Sequence, residues 1–330
     1  MLVSIFNDVI GPVMRGPSSS HCAAALRIGR LARDLVGGTP ESLLMEMDAA
    51  GSLPTTHDSQ GSDMGLFGGL LGWEADDPRL PDSADALRAA GTVVRFETRQ
   101  LGDPHPATYR LTLSRGNATR RIRAISTGGG MIEVIAIDDV PLSLFGDYHE
   151  MLIAFEGPQA EAAARACADR VAALAPGFAA DDVCVRVAPG MAFAQVKSHG
   201  PFPAGPLATV VEASAPARVH TLEPVLPVRS RRGMSVPFTS CAGLVAADAG
   251  RHDPLWRHAV RYEMERGGLT EREVIDRMVA IVRILKRSIA EGIAGTSYDD
   301  RVLPAQAPGF AAALATGRLV GGGSLNRIVL

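Results

Sequence analysis

The chain has no apolar run near the roughly 20 residues a membrane-spanning helix needs. Its N-terminus has no basic stretch leading into an apolar one, so no export signal is expected and the cytoplasm is the expected compartment. A surplus of one charge is missing as well. The formal net charge is −3 over 330 residues, which gives no electrostatic reason to expect nucleic acid or an anionic membrane as partner. Paired cysteines are also absent. Cys22, Cys167, Cys184 and Cys241 form no CxxC and match no zinc or ferredoxin spacing. Cys167 among alanines and Cys184 in a strand-like run read as small buried hydrophobes. Cys22 and Cys241 lie in polar, small-residue surroundings. What is present is ordinary for a globular chain, with 46% hydrophobic and 21% charged residues. The length suffices for two or three compact units.

One stretch stands out. Gly16-Pro-Ser-Ser-Ser-His21 sets small polar groups and an imidazole directly before a helical run, Cys22 to Val36, in which Leu26, Ile28, Leu31 and Leu35 are expected to be buried. A serine-rich turn entering a helix collects unpaired N–H groups and hydroxyls, a site for a carboxylate or phosphate. One serine would serve as a plain N-cap; three and a histidine exceed that need.

Taken in order, residues 1–150 read as a mixed α/β unit. Ser42 to Asp48, Thr92 to Thr98, Ala107 to Leu113, Arg120 to Ser126 and Met131 to Ile137 have strand character, and Asp82 to Ala90 helical character. The segment from Gly51 to Asp63 is nearly all hydrogen-bonding residues, either a surface loop or a second functional cluster. Ser126 precedes Gly128-Gly-Gly130, which suits a tight hairpin or a close backbone approach to a ligand. Residues 151–222 read strand–helix–strand–strand, a small ferredoxin-like module. Leu222 to Gly233 looks like a linker. Residues 234–330 turn helical: Trp256 to Arg266, then a helix opened by a Thr270/Glu273 capping box. On that helix Val274, Met278, Ile281, Val282, Leu285 and Ile289 form one apolar stripe, expected to be core.

The run Phe6-Asn-Asp-Val-Ile-Gly-Pro-Val-Met-Arg-Gly-Pro-Ser-Ser-Ser-His21 resembles the opening of the iron–sulfur-dependent L-serine dehydratases. The likeness continues through Gly51-Ser52, Gly61-Ser-Asp63, Leu70-Leu-Gly72, His105-Pro106 with Thr108, and Ser126-Thr-Gly-Gly-Gly130. Leu269 to Leu330 is similar to the start of the helical catalytic domain of the same enzymes. The resemblance implies an α+β fold: a serine-dehydratase beta-type domain over 1–150, the ferredoxin-like module over 151–222, and a helical segment over 234–330 that completes a partner's helical domain. In those enzymes the chain runs on to the cluster-binding cysteines. Here it ends at Gly321-Gly-Gly-Ser-Leu-Asn-Arg-Ile-Val-Leu330, so a second polypeptide is expected to hold the [4Fe–4S] cluster.

The implied reaction is elimination of water, or of another β-leaving group, from L-serine or a related 3-substituted amino acid, giving a keto acid and ammonia. The implied substrate-binding set is Ser18, Ser19, Ser20, Ser62, Asp63, Ser126, Gly128, Gly129 and Gly130, with His21, His57 and Gln60 as the catalytic set. Three positions depart from the family. Ser59-Gln-Gly-Ser-Asp63 stands where Gly-His-Gly-Thr-Asp is usual, Cys22 where threonine is, and Met131 where lysine is. Gln60 cannot accept a proton at neutral pH, and His57 lies three residues earlier. Two other readings stay open: a non-catalytic subunit that binds a small carboxylate and regulates a partner, and a cluster-free enzyme with Cys22 as nucleophile beside His21.

Overall fold

The computed structural model describes residues 2–174, 178, 180–295 and 304–319. It divides into two compact units, Met1–Gly268 and Leu269–Leu330.

The first unit begins with two single turns of wide helix, Ile5–Val9 and Ser19–Ala23, the second running straight into α1 (Ala24–Val36). Then come β1 (Ser42–Asp48), α2 (Leu53–Thr56), α3 (Ser62–Leu70) and α4 (Ser83–Ala89). Five strands follow: β2 (Val93–Arg99), β3 (Thr108–Arg115), β4 (Ala118–Gly128), β5 (Met131–Ile137) and β6 (Val140–Leu144). With β1 they form one six-stranded sheet in the order β2-β1-β3-β4-β5-β6. Only the β1–β2 pair is parallel. It is bridged by helices, as a parallel crossover requires. Alternation gives the sheet one dry face: Leu43, Met45, Tyr109, Leu111, Leu113, Ile122 and Ala124 are buried beneath α1 and α3. The other face carries Glu46, Arg110, Thr112, Arg121 and Arg123.

Helices α1 and α3 touch backbone to backbone. A Cβ on Gly65 would lie 2.0 Å from the carbonyl oxygen of Cys22, and one on Gly69 would lie 2.1 Å from that of Leu26. Only glycine permits this approach. It sets the N-terminal end of α1 beside the turn that opens α3.

The second sheet is built from β7 (His149–Glu156), α5 (Ala160–Ala172), β8 (Asp182–Ala188), β9 (Met191–Ser198), α6 (Pro206–Ala213) and β10 (Arg218–Leu222). Its order β10-β7-β9-β8, antiparallel throughout, is the ferredoxin-like arrangement. Cys167 is buried in α5, and Cys184 is half-buried on the edge strand β8. β6 and β10 escaped the sequence reading. Both are five-residue edge strands, β6 interrupted by Pro141, a residue that edges tolerate.

The expected linker at 222–233 is instead a packed strap. Leu226, Val228 and Ser230 are buried, and Asn7 both donates to and accepts from the Val228 backbone. Two helices then complete this unit, α7 (Cys241–Asp248) and α8 (Leu255–Gly267). The change to helix after residue 234 is therefore not where the unit ends, because α8 is tied back to the first residues of the chain. Its Glu263, wholly buried, accepts from the Ser4 hydroxyl at 2.5 Å and the Ile5 N–H at 2.8 Å. Its Arg266 donates to the carbonyls of Leu2, Val228 and Arg229.

The second unit holds α9 (Glu271–Ala294), opened by the expected Thr270/Glu273 capping box, and α10 (Ala307–Ala315), which packs on it. The stripe on α9 is not core. Val274 is buried, but Met278, Val282, Leu285 and Ile289 are 37–56% exposed, because among the described residues α10 alone supplies this unit with a second layer. The apolar end from Gly321 to Leu330 lies outside the described residues. No helix among them is long and apolar enough to cross a membrane.

Candidate functional site

The site forms where α1 begins. Ser18 is extended, with φ −139°, and its carbonyl accepts from the N–H groups of His21 and Cys22. The N–H groups and hydroxyls of Ser19 and Ser20 have no partner among the described residues. They are the open donors of a helix start, half-exposed and facing no protein acceptor.

His21 is held at both nitrogens. Nδ1 lies 3.0 Å from the Ser18 hydroxyl, and Nε2 lies 3.1 Å from the Thr56 hydroxyl. Thr56 donates its one hydroxyl proton to the Ser52 carbonyl at 2.7 Å. It can only accept from His21, so Nε2 carries the proton and Nδ1 accepts from Ser18. Burial lowers the His21 pKa and keeps the ring neutral at pH 7.

Ser126 closes one side. Its hydroxyl donates to the Ser20 carbonyl at 2.7 Å. Gly128, Gly129 and Gly130 then turn β4 into β5 with φ of +99°, +62° and +83°, a run that side-chain-bearing residues avoid. Behind them lies Arg27, 4% exposed, donating to the Gly130 carbonyl. Burial lowers its pKa to about 10, with Asp8 and Glu74 opposing, so it stays charged. A buried cation behind free N–H donors favours an anion.

A second pair sits one residue beyond Thr56. His57 Nδ1 lies 2.9 and 2.8 Å from the two Asp63 oxygens, and the ring stacks on Phe96 at 5.0 Å. Asp63 accepts the Nδ1 proton, which leaves Nε2 as the basic nitrogen. Burial raises the Asp63 pKa and His57 partly restores it.

The expected residues thus fall into groups. Ser18, Ser20, His21 and Ser126 are joined directly, with Ser19 and the triple glycine alongside. His57 and Asp63 form their own pair, tied to the first group through Thr56. Ser62 turns inward, 1% exposed, against the Tyr109 hydroxyl at 3.1 Å. Gln60 is half-buried and its amide has no partner among the described residues. Thr56 and Arg27 were missed. Thr56 is one hydroxyl among many in its segment. Arg27 had a signal: a lone cation between Leu26 and Ile28, the buried positions of α1.

Cys22 is 1% exposed and its thiol donates to the Arg15 carbonyl at 3.0 Å. Burial pushes its pKa up to about 11, so it is no nucleophile at neutral pH. Cys22, Cys167, Cys184 and Cys241 are all free thiols on separate elements, and among the described residues no three metal-ligating groups that include a cysteine converge. These residues do not fit an iron–sulfur cluster.

Open N–H donors, a buried cation and two oriented imidazoles on an α+β scaffold are chemically suited to a small anion with proton transfer beside it. Comparison with known proteins narrows that class. The chain is 37% identical over 150 residues to the probable L-serine dehydratase beta chain of Bacillus subtilis (strain 168), covering 46% of this chain and 67% of that one. It is 33% identical over 150 residues to the L-serine dehydratase beta chain of Peptoniphilus asaccharolyticus, covering 45% and 67%. No family model matches. The chain belongs to the L-serine dehydratase beta-chain family.

Proposed function

We propose that this chain is one subunit of a two-chain L-serine dehydratase or a close relative, eliminating a β-leaving group from a 3-substituted L-amino acid to give a keto acid and ammonia. The observation that carries this reading is the joining of Ser18–His21 and Ser20–Ser126 at the open end of α1, above Arg27, in a chain of this family. The substrate carboxylate takes the N–H groups of Ser19 and Ser20, with the field of Arg27 behind it. His57, oriented by Asp63, serves as proton acceptor where Gln60 cannot. His21, with Ser18, passes a proton at Nδ1.

The beta-chain name of both relatives supports a companion chain of a different kind. The four thiols here are apart, so the [4Fe–4S] cluster of the proposed enzyme belongs to that companion. The exposed apolar stripe of α9 is its proposed contact surface. A regulatory carboxylate-binding subunit is the second reading, favoured by the unpartnered amide of Gln60.

The test is keto-acid release from L-serine, L-threonine and L-cysteine by this chain purified anaerobically, alone and with its companion. Turnover is expected only from the pair. His21→Ala and His57→Gln should each lower kcat at least about 100-fold while leaving Tm and companion binding intact. A pair that binds serine without turnover would replace the enzyme reading by the regulatory one.

A further inference from the structure

The open face of the six-stranded sheet holds a cavity of about 150 Å³, lined by Glu46, Arg110, Thr112, Arg121, Arg123 and Asp139 among others. The triple glycine, Ser18 to His21 and the His57–Asp63 pair are not among its lining residues. Glu46 on β1 stands opposite Arg110 on β3, and Arg110 stands opposite Arg123 on β4. Arg121, opposite Thr112, is the next same-face residue of β4. Three guanidiniums therefore share one patch of sheet.

Like charges directly opposite one another destabilise a sheet. Two of the three are neutralised. Arg110 is held by Asp103 in a fork of bonds from 2.6 to 3.2 Å, and Arg121 pairs with Asp139. Glu46 is engaged by Arg99 at 3.3 Å. The Arg123 guanidinium has no hydrogen-bond or ion-pair partner among the described residues. It sits where β4 slips register against β5, between Arg123 and Ala124, a bulge of the kind that re-aims a side chain. Asp103, Asp139 and Glu46 are thus each engaged by another guanidinium, and Arg123 carries the charge left without a counter-ion.

We propose that this cavity binds a small oxyanion, a carboxylate or a phosphate, gripped by the free fork of Arg123 with Arg110 and Arg121 beside it. A planar fork matches two oxygens of either group, and the cavity admits only a small one. The ligand relieves the Arg110–Arg123 repulsion, which makes the site a stabilising effector site separate from the Ser18–His21 end. It does not depend on the dehydratase reading.

The test is thermal unfolding of the full chain at graded sodium acetate and, separately, graded inorganic phosphate, at constant ionic strength set with sodium chloride. A saturable rise in Tm is expected with at least one of the two, and which one identifies the ligand chemistry. Arg123→Gln should weaken the apparent affinity at least tenfold, Arg123→Lys by less, and Ser18→Ala should leave it unchanged. Without added anion, Arg123→Gln should have a Tm equal to or above that of the parent chain. The proposal falls if the response matches chloride, survives Arg123→Gln, or disappears with Ser18→Ala. A clear drop in anion-free Tm for Arg123→Gln would make Arg123 structural and overturn it too.

Discussion

Cys22 is a residue whose neighbours decide its chemistry. The sequence places it beside His21, in a pattern open to a nucleophilic reading. The fold turns its thiol the other way, toward the Arg15 carbonyl, and burial pushes its pKa up to about 11. Native alkylation with iodoacetamide at pH 7.5, read by peptide mass spectrometry, should label the exposed Cys241 first and leave Cys22 unmodified until the chain unfolds. Rapid native labelling of Cys22 would contradict its burial. His57 shows the converse. Its value as a base comes from Asp63 six residues on, and no spacing rule announces that pair. The Ser18–His21 bond was easier to foresee, because residues three apart at a helix start are neighbours.

At the scale of elements, the glycines of α3 matter more than its apolar residues. Met64-Gly-Leu-Phe-Gly-Gly-Leu-Leu-Gly72 reads as a small-residue helix, but what the small residues approach was not legible. They approach the backbone of α1. Gly65→Ala and Gly69→Ala should each lower stability by about 1–3 kcal/mol or more, since their Cβ atoms meet carbonyl oxygens that cannot step aside. Gly68→Ala is the control: its Cβ would meet the tip of the Leu80 side chain, which can rotate away, and the loss should be smaller. Urea midpoints of the three variants would rank them. Strands Ser42–Asp48 and Met131–Ile137 were readable to the residue because each sets apolar side chains in a run bounded by turn formers. The stripe on α9 was read as core because periodicity reports that a face is apolar, not that the same chain covers it.

For the whole molecule, two buried groups with opposite pH dependences are set against each other. Burial first, then Arg120 and Arg218, lower the pKa of His220 to about 4. Between the ordinary 6.5 and about 4 the unfolded chain takes up a proton that the folded one refuses, so His220 costs stability as pH falls through that window. Burial raises the pKa of Glu150 to about 7, opposed by Lys197 and Gln195. Between about 7 and the ordinary 4.5 the folded chain holds a proton that the unfolded one has lost, so Glu150 adds stability as pH falls. Each contributes roughly 1.4 kcal/mol per pH unit where the windows overlap, with opposite sign. Relative to the parent chain, Glu150→Gln should therefore lose roughly 2–3 kcal/mol, and His220→Gln gain as much, on going from pH 6.5 to 4.5. Urea unfolding at three pH values would measure the slopes; variants that run parallel to the parent would refute the opposition.

The clasp between the first residues and α8 bears on how the protein is made. Ser4 and Glu263 are 259 positions apart, and the stretch that follows the clasp, from Gly11 to His21, carries the serines of the site. On the ribosome residues 2–5 emerge long before α8 and must wait for it. Their binding partners at 263 and 266 leave the exit tunnel only when the unit is almost fully translated. The clasp on residues 2–5 is thus among the last contacts to form, and a nascent chain arrested before α8 would leave those residues untethered while Ser18 to His21 are already held by Thr56 and Ser126.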